Sequence, residues 1–115
     1  MDMTKNSRVY VVQDQKMISP KGVLVNKFDL RPAEPFGELI TLLPPTAGAF
    51  DVEGVMADLW NGLRDYRDGD HLLLVGNPCL IGWAVAIAAK INDGRVSVLQ
   101  WQARERRYFS VSCRI

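Results

Sequence analysis

The sequence predicts a single compact α/β domain built on a mixed sheet, and three observations carry that expectation. Residues 71–89, HLLLVGNPCLIGWAVAIAA, join an apolar run to a small-residue apolar segment through a Gly-Asn-Pro corner, the pattern of a buried strand turning into a helix. Residues 51–66 repeat apolar side chains at helical spacing just upstream. The chain has 115 residues, 48% of them apolar and 23% charged, which is enough for one core and too little for a substrate domain beside a cofactor domain. One domain over 1–115 is expected, with 1–7 as a flexible lead.

The elements follow in order. Residues 8–13, RVYVVQ, are rich in β-branched and aromatic side chains and read as a first strand. Ser19-Pro20-Lys21-Gly22 is a turn signal, and residues 23–28 are expected to return as a second strand in a hairpin with the first. The prolines of residues 31–37 allow only a short turn, which leads into a strand over 38–43 that Pro44 and Pro45 stop. In the helix at 51–66, Val52, Val55, Met56, Leu59, Leu63 and Tyr66 form the core stripe, Asp51 caps the start, and Phe50 and Val55 are spaced as a hydrophobic staple. Gly69 ends it. The strand at 71–75 is apolar on both faces, so it is expected at the centre of a sheet with helices on both sides. Asn77 caps the next helix, with Pro78 at its first position.

Residues 95–101 and 107–113 fold back on each other around Arg104-Glu105. That register sets Val96, Val98 and Gln100 opposite Cys113, Val111 and Phe109 on one face. On the other it sets Trp101, Leu99 and Ser97 opposite Tyr108, Ser110 and Ser112. The expected order is β-β-β-α-β-α-β-β, a β-α-β-α-β unit with right-handed crossovers and an antiparallel C-terminal hairpin at one edge.

A net charge of +1 hides an asymmetry. Residues 94–115 carry five arginines against Glu105 alone, about +4, whereas residues 27–93 hold ten acids against five bases, about −5. An anionic partner should prefer the C-terminal edge. The longest apolar run falls short of the roughly twenty residues that cross a bilayer, and the first residues lack a secretory signal pattern, so a cytoplasmic protein without a membrane partner is expected. Cys79 and Cys113 form neither a disulfide framework nor a metal-type pair, which fits a reducing compartment.

Four constellations could carry chemistry. Gly76-Asn77-Pro78 lies where strand meets helix N-terminus, a position from which amides hold phosphates, so Gly76, Asn77 and Cys79 form a candidate phosphate site; the plainer reading is a tight turn with an Asn cap. Neither G-x-G-x-x-G nor G-x-x-x-x-G-K-[ST] is present. Cys79 in a first helical turn could be an activated thiol, yet His71, the single histidine, begins the strand and stands more than about 16 Å away at an extended rise. A buried apolar role for Cys79 is therefore expected. Asp65, Asp68 and Asp70 do not match an EF-hand spacing and read as a solvated helix end, so no metal is expected. Trp101, Arg104, Arg106, Arg107 and Tyr108 combine aromatic faces with guanidinium groups, which suits stacked bases and phosphates, or a protein interface. The plainer alternative packs both rings beneath a helix and leaves the arginines in water.

VYVVQ, FDLRPAEPFGELITLL, DHLLLVGNPCLIGWAVAIAA and GRVSVLQWQARERRYFSV together resemble a family of small, uncharacterised tailed-bacteriophage proteins over most of the chain. That pattern has an aspartate in a GDP corner and in KWDR, where this chain has Asn77 and Gln102, so no acid role carries over at either place. The resemblance implies a phage accessory protein acting in the host cytoplasm, and no activity. The combined expectation is a non-enzymatic protein without cofactor that binds a host or phage protein, or single-stranded nucleic acid, through the C-terminal hairpin. The alternative is a nucleotide- or phosphate-binding protein that uses the Gly76 corner.

Overall fold

Residues 9–12, VYVV, show no polar alternation, and a strand of that kind must be covered on both faces and paired on both edges. In the computed structural model, which describes residues 6–115, they form β1 (Arg8–Gln13), buried from Val9 to its end and paired in parallel with a strand on each side. The lead expected to be flexible lies, for residues 1–5, outside the described residues. The remaining elements are β2 (Lys16–Ile18), β3 (Leu24–Asn26), a 3-10 helix (Arg31–Phe36), β4 (Glu38–Leu43), α1 (Val52–Leu63), β5 (His71–Leu73), α2 (Pro78–Ile91), β6 (Arg95–Gln102) and β7 (Arg107–Arg114). The main sheet runs β4-β1-β5-β6-β7, parallel except for β7, and β2 pairs only with β3. This is the expected α/β domain with its β-α-β-α-β middle and antiparallel C-terminal hairpin, plus one three-residue strand, β2.

The expected hairpin between residues 8–13 and 23–28 does not form. The central position of β1 leaves no free edge, so β3 turns back onto Lys16–Ile18 instead, through a turn in which Ser19 donates to the Val23 carbonyl at 2.8 Å. Gly22 closes that turn at φ +80, where a Cβ is disfavoured.

Helices on both faces were expected, yet both pack on one. From β1 the chain crosses to β4 on one side, then travels back past β1 through α1 to β5 and through α2 to β6. Right-handed crossovers put connections that travel in opposite directions on opposite faces. Accordingly α1 and α2 cover Tyr10, Val12, Leu72 and Val96, while the 3-10 helix, through Ala33, Leu30 and Phe36, covers Val9, Val11, Leu73 and Leu99.

The helix signals hold at the caps and fail at the margins. The Asp51 carboxylate accepts from the Gly54 amide at 3.1 Å, and Asn77 Oδ1 accepts from the Cys79 amide at 2.8 Å with Pro78 in the first turn. α1 stops at Leu63 rather than running to 66, although Tyr66 stays buried. Phe50 forms no staple with Val55; its ring is fully exposed, as is half of Val52. β5 also ends early. Leu73 is 2% exposed but Leu74, expected inside the same strand, is 39% exposed because Val75 donates back to the Leu73 carbonyl and turns the chain outward.

Candidate binding groove

The β6–β7 register is the one the sequence predicts, with Trp101 opposite Tyr108, Leu99 opposite Ser110 and Val96 opposite Cys113. Alternation then puts the Trp101 and Tyr108 rings on one face, in edge contact at 4.9 Å between centroids. Tyr108 packs on the core beneath the 3-10 helix, and this burial raises its hydroxyl pKa. Trp101 is 41% exposed. The two rings are therefore neither both sunk under a helix nor both free.

In front of Trp101 opens a groove of about 990 Å³. It lies at the carboxyl ends of β1, β5 and β6, beside the switch point between β1 and β5, whose outgoing connections run in opposite directions, the usual place for ligands in parallel sheets. It is lined by Trp101, Arg106 and Tyr108 from the β6–β7 hairpin, by Leu74 and Gly76 after β5, and by Lys27, Phe28 and Asp29 after β3. Arg106 sits at φ +55 in the hairpin turn, held by its amide bond to the Gln102 carbonyl at 2.7 Å. Asp29 is engaged by Arg31, whose guanidinium and amide hydrogen bonds lower its carboxyl pKa to about 2. The uncompensated charges on the groove walls are thus those of Lys27 and Arg106.

The structure splits the predicted hairpin cluster. Trp101, Arg106 and Tyr108 line the groove; Arg104 is exposed on the turn outside it. Arg107 projects from the other face, 4.5 Å over the Phe109 ring and 3.4 Å from Glu105. Sequence reasoning missed Lys27 and Phe28, which adjoin as a basic-aromatic pair with Lys27 5.6 Å over the ring. It also missed Gln13. Buried at the end of β1, Gln13 donates to the Ala47 carbonyl at 2.8 Å and accepts from the Asn77 amide at 2.9 Å, which ties the β5–α2 corner to the loop after β4.

That tie bears on the phosphate corner. The Asn77 amide is held by Gln13 and the Cys79 amide by Asn77, so two amides that a phosphate would need already have acceptors. Gly76 has φ +127 and a Cβ there would stand 2.5 Å from Gln13 Cβ, so a close approach to Gln13 accounts for the glycine. Cys79 is exposed, not buried as expected, because the first turn of α2 projects past the end of β5. Asp70 is buried rather than solvated, accepting from the Arg8 amide at 2.9 Å and the Arg67 amide at 3.2 Å. Asp68 bonds Asn92 and Arg95, which lower its pKa. Among the described residues no group of three or more His, Cys, Asp or Glu side chains could hold a metal.

His71 meets Ser110, with Nε2 to Oγ at 2.7 Å. Its Nδ1 is buried without a hydrogen-bond partner, and burial lowers the ring pKa. A proton placed on Nδ1 would have no acceptor, which favours the tautomer in which Nε2 carries it toward Ser110.

No described helix is long and apolar enough to cross a membrane. Residues 7–115 match the family described as Phage Pam3 gp32-like protein, and the chain belongs to that family. Neither the curated proteins nor the solved structures gave a match.

Proposed function

We propose that this Pam3 gp32-like phage protein is a binding protein that holds single-stranded nucleic acid in the groove at the carboxyl end of its sheet. One observation carries the reading: Trp101, 41% exposed and in edge contact with Tyr108, lines the same groove as Lys27 and Arg106, two cations without an ion pair there among the described residues. Such a ring accepts any base, and cations lining the same groove suit the phosphates of a single strand. Holding the ring from one side matters because an aromatic already ordered loses little freedom when a base stacks on it. Arg104, on the adjoining turn, extends the basic path beyond the groove.

The test is an anisotropy titration of labelled oligo-dT and oligo-U at low salt, with a mononucleotide and wild-type Tm as controls. Both oligonucleotides are expected to bind, and Trp101→Ala to lose about 1 to 3 kcal/mol of affinity. Tight binding of the mononucleotide alone would favour the Gly76 corner instead. Absence of binding by any of the three would leave the groove as a protein interface.

A further inference from the structure

We propose that the β2–β3 arm of one copy docks on the outer surface of α1 of a second copy, so that the protein assembles through two unlike surfaces of the same chain. The arm is three residue pairs long and exposed along both strands, a hairpin size that is marginal in water by itself. Ile18 and Leu24 are 63% and 62% exposed, with Met17, Val23 and Val25 beside them. Residues 15–28 carry Lys16, Lys21 and Lys27; Lys16 is paired with Asp14 at 3.4 Å, which leaves Lys21 and Lys27 as the positive charge of the arm. An apolar patch of this kind, with a net positive rim, suits a docking surface.

The matching surface is on the same chain. Residues 50–61 carry Asp51, Glu53 and Asp58 and no base. Phe50 is wholly exposed, and Val52 and Trp60, eight residues apart on α1, are about half exposed. Phe50 has no packing role within its own copy, and the cap and helix beside it are accounted for without it. Arm against arm would bring lysines together, and α1 against α1 would bring acids together. Only arm against α1 pairs opposite charges while it covers both apolar sets. The contact is heterologous, since the two patches differ.

Mass measurement by light scattering across a concentration series tests this, with Ile18→Glu/Leu24→Glu as the arm variant and Phe50→Lys/Trp60→Lys as the helix variant. Circular dichroism melts check that both variants fold. The wild type is expected to exceed the 12.9 kDa monomer and to return to it as salt rises. Each variant alone is expected to stay at 12.9 kDa, whereas an equimolar mixture should form a 1:1 pair of twice that mass, because one sound arm meets one sound helix. A wild type that stays monomeric at every concentration, a folded variant that assembles as the wild type does, or a mixture that forms no pair would each overturn the proposal.

Discussion

The two hairpins of this chain reach solvent in opposite ways. β6–β7 pairs over eight residues, is anchored in the main sheet through Val96 and Leu99, and leaves Trp101, in edge contact with Tyr108, and Val111 on the opposite face about half exposed. β2–β3 pairs over three residues, contributes nothing to the main sheet, and exposes almost every apolar side chain it has. A residue such as Leu99 is fixed by folding, so its chemistry is that of the core; Leu24, 62% exposed, is not, and the proposed contact with a second copy would cover it. Trp101 stands between these cases, and that mixture of fixation and exposure is the basis of its proposed role.

The largest difference between the two should appear on introducing a charge. Leu99→Asp buries an unpaired carboxylate against Val9, Val11 and Leu73, and is expected to cost about 4 kcal/mol or more, enough to unfold the domain in a thermal melt. A native-like melt for that variant would break the anchoring of β6. Gly76→Ala comes next: the strained φ and the contact with Gln13 predict a loss of about 1 to 3 kcal/mol in a denaturant titration, and wild-type stability there would mean that the corner is not packed as described. Leu24→Asp on the arm should change monomer stability by less than about 0.5 kcal/mol. The smallest effect concerns His71. Its folded pKa lies below the ordinary 6.5, so as pH falls below that value the unfolded chain takes up a proton that the folded ring resists, and stability declines. His71→Gln should flatten that part of the stability–pH curve.

The same contrast explains what could be read from the residues alone. The β6–β7 register was legible because a short local turn and a period-two pattern determine it together, and the Asp51 and Asn77 caps were legible because a cap is a matter of one side chain and one nearby amide. The partners of β1 were not. Parallel pairing joins Tyr10 to Ile40 and Leu72, distant in sequence and linked by no turn chemistry. The groove was half legible for a related reason. Trp101, Arg106 and Tyr108 come from one hairpin, but Lys27 and Phe28 arrive by the path of a connection whose course follows from strand order. Phe50 and Cys79 were misplaced because helical spacing describes the middle of a helix, whereas both lie at ends that project past the sheet. Gln13 gave no signal, since its polar side chain is buried by partners from two separate loops.

If the groove beside Trp101 holds a polyanion as proposed, Lys27 and Arg106 supply the phosphate contacts. The most direct test is the slope of log affinity against log salt for oligo-dT, in the wild type and in Lys27→Ser/Arg106→Asn, asparagine being chosen because it tolerates the positive φ at 106. Each phosphate contact on a single strand contributes about 0.7 to that slope, so removing two contacts should lower it by about 1.4. Binding by the wild type with that reduction is the predicted result. An unchanged slope in the folded double variant would contradict it.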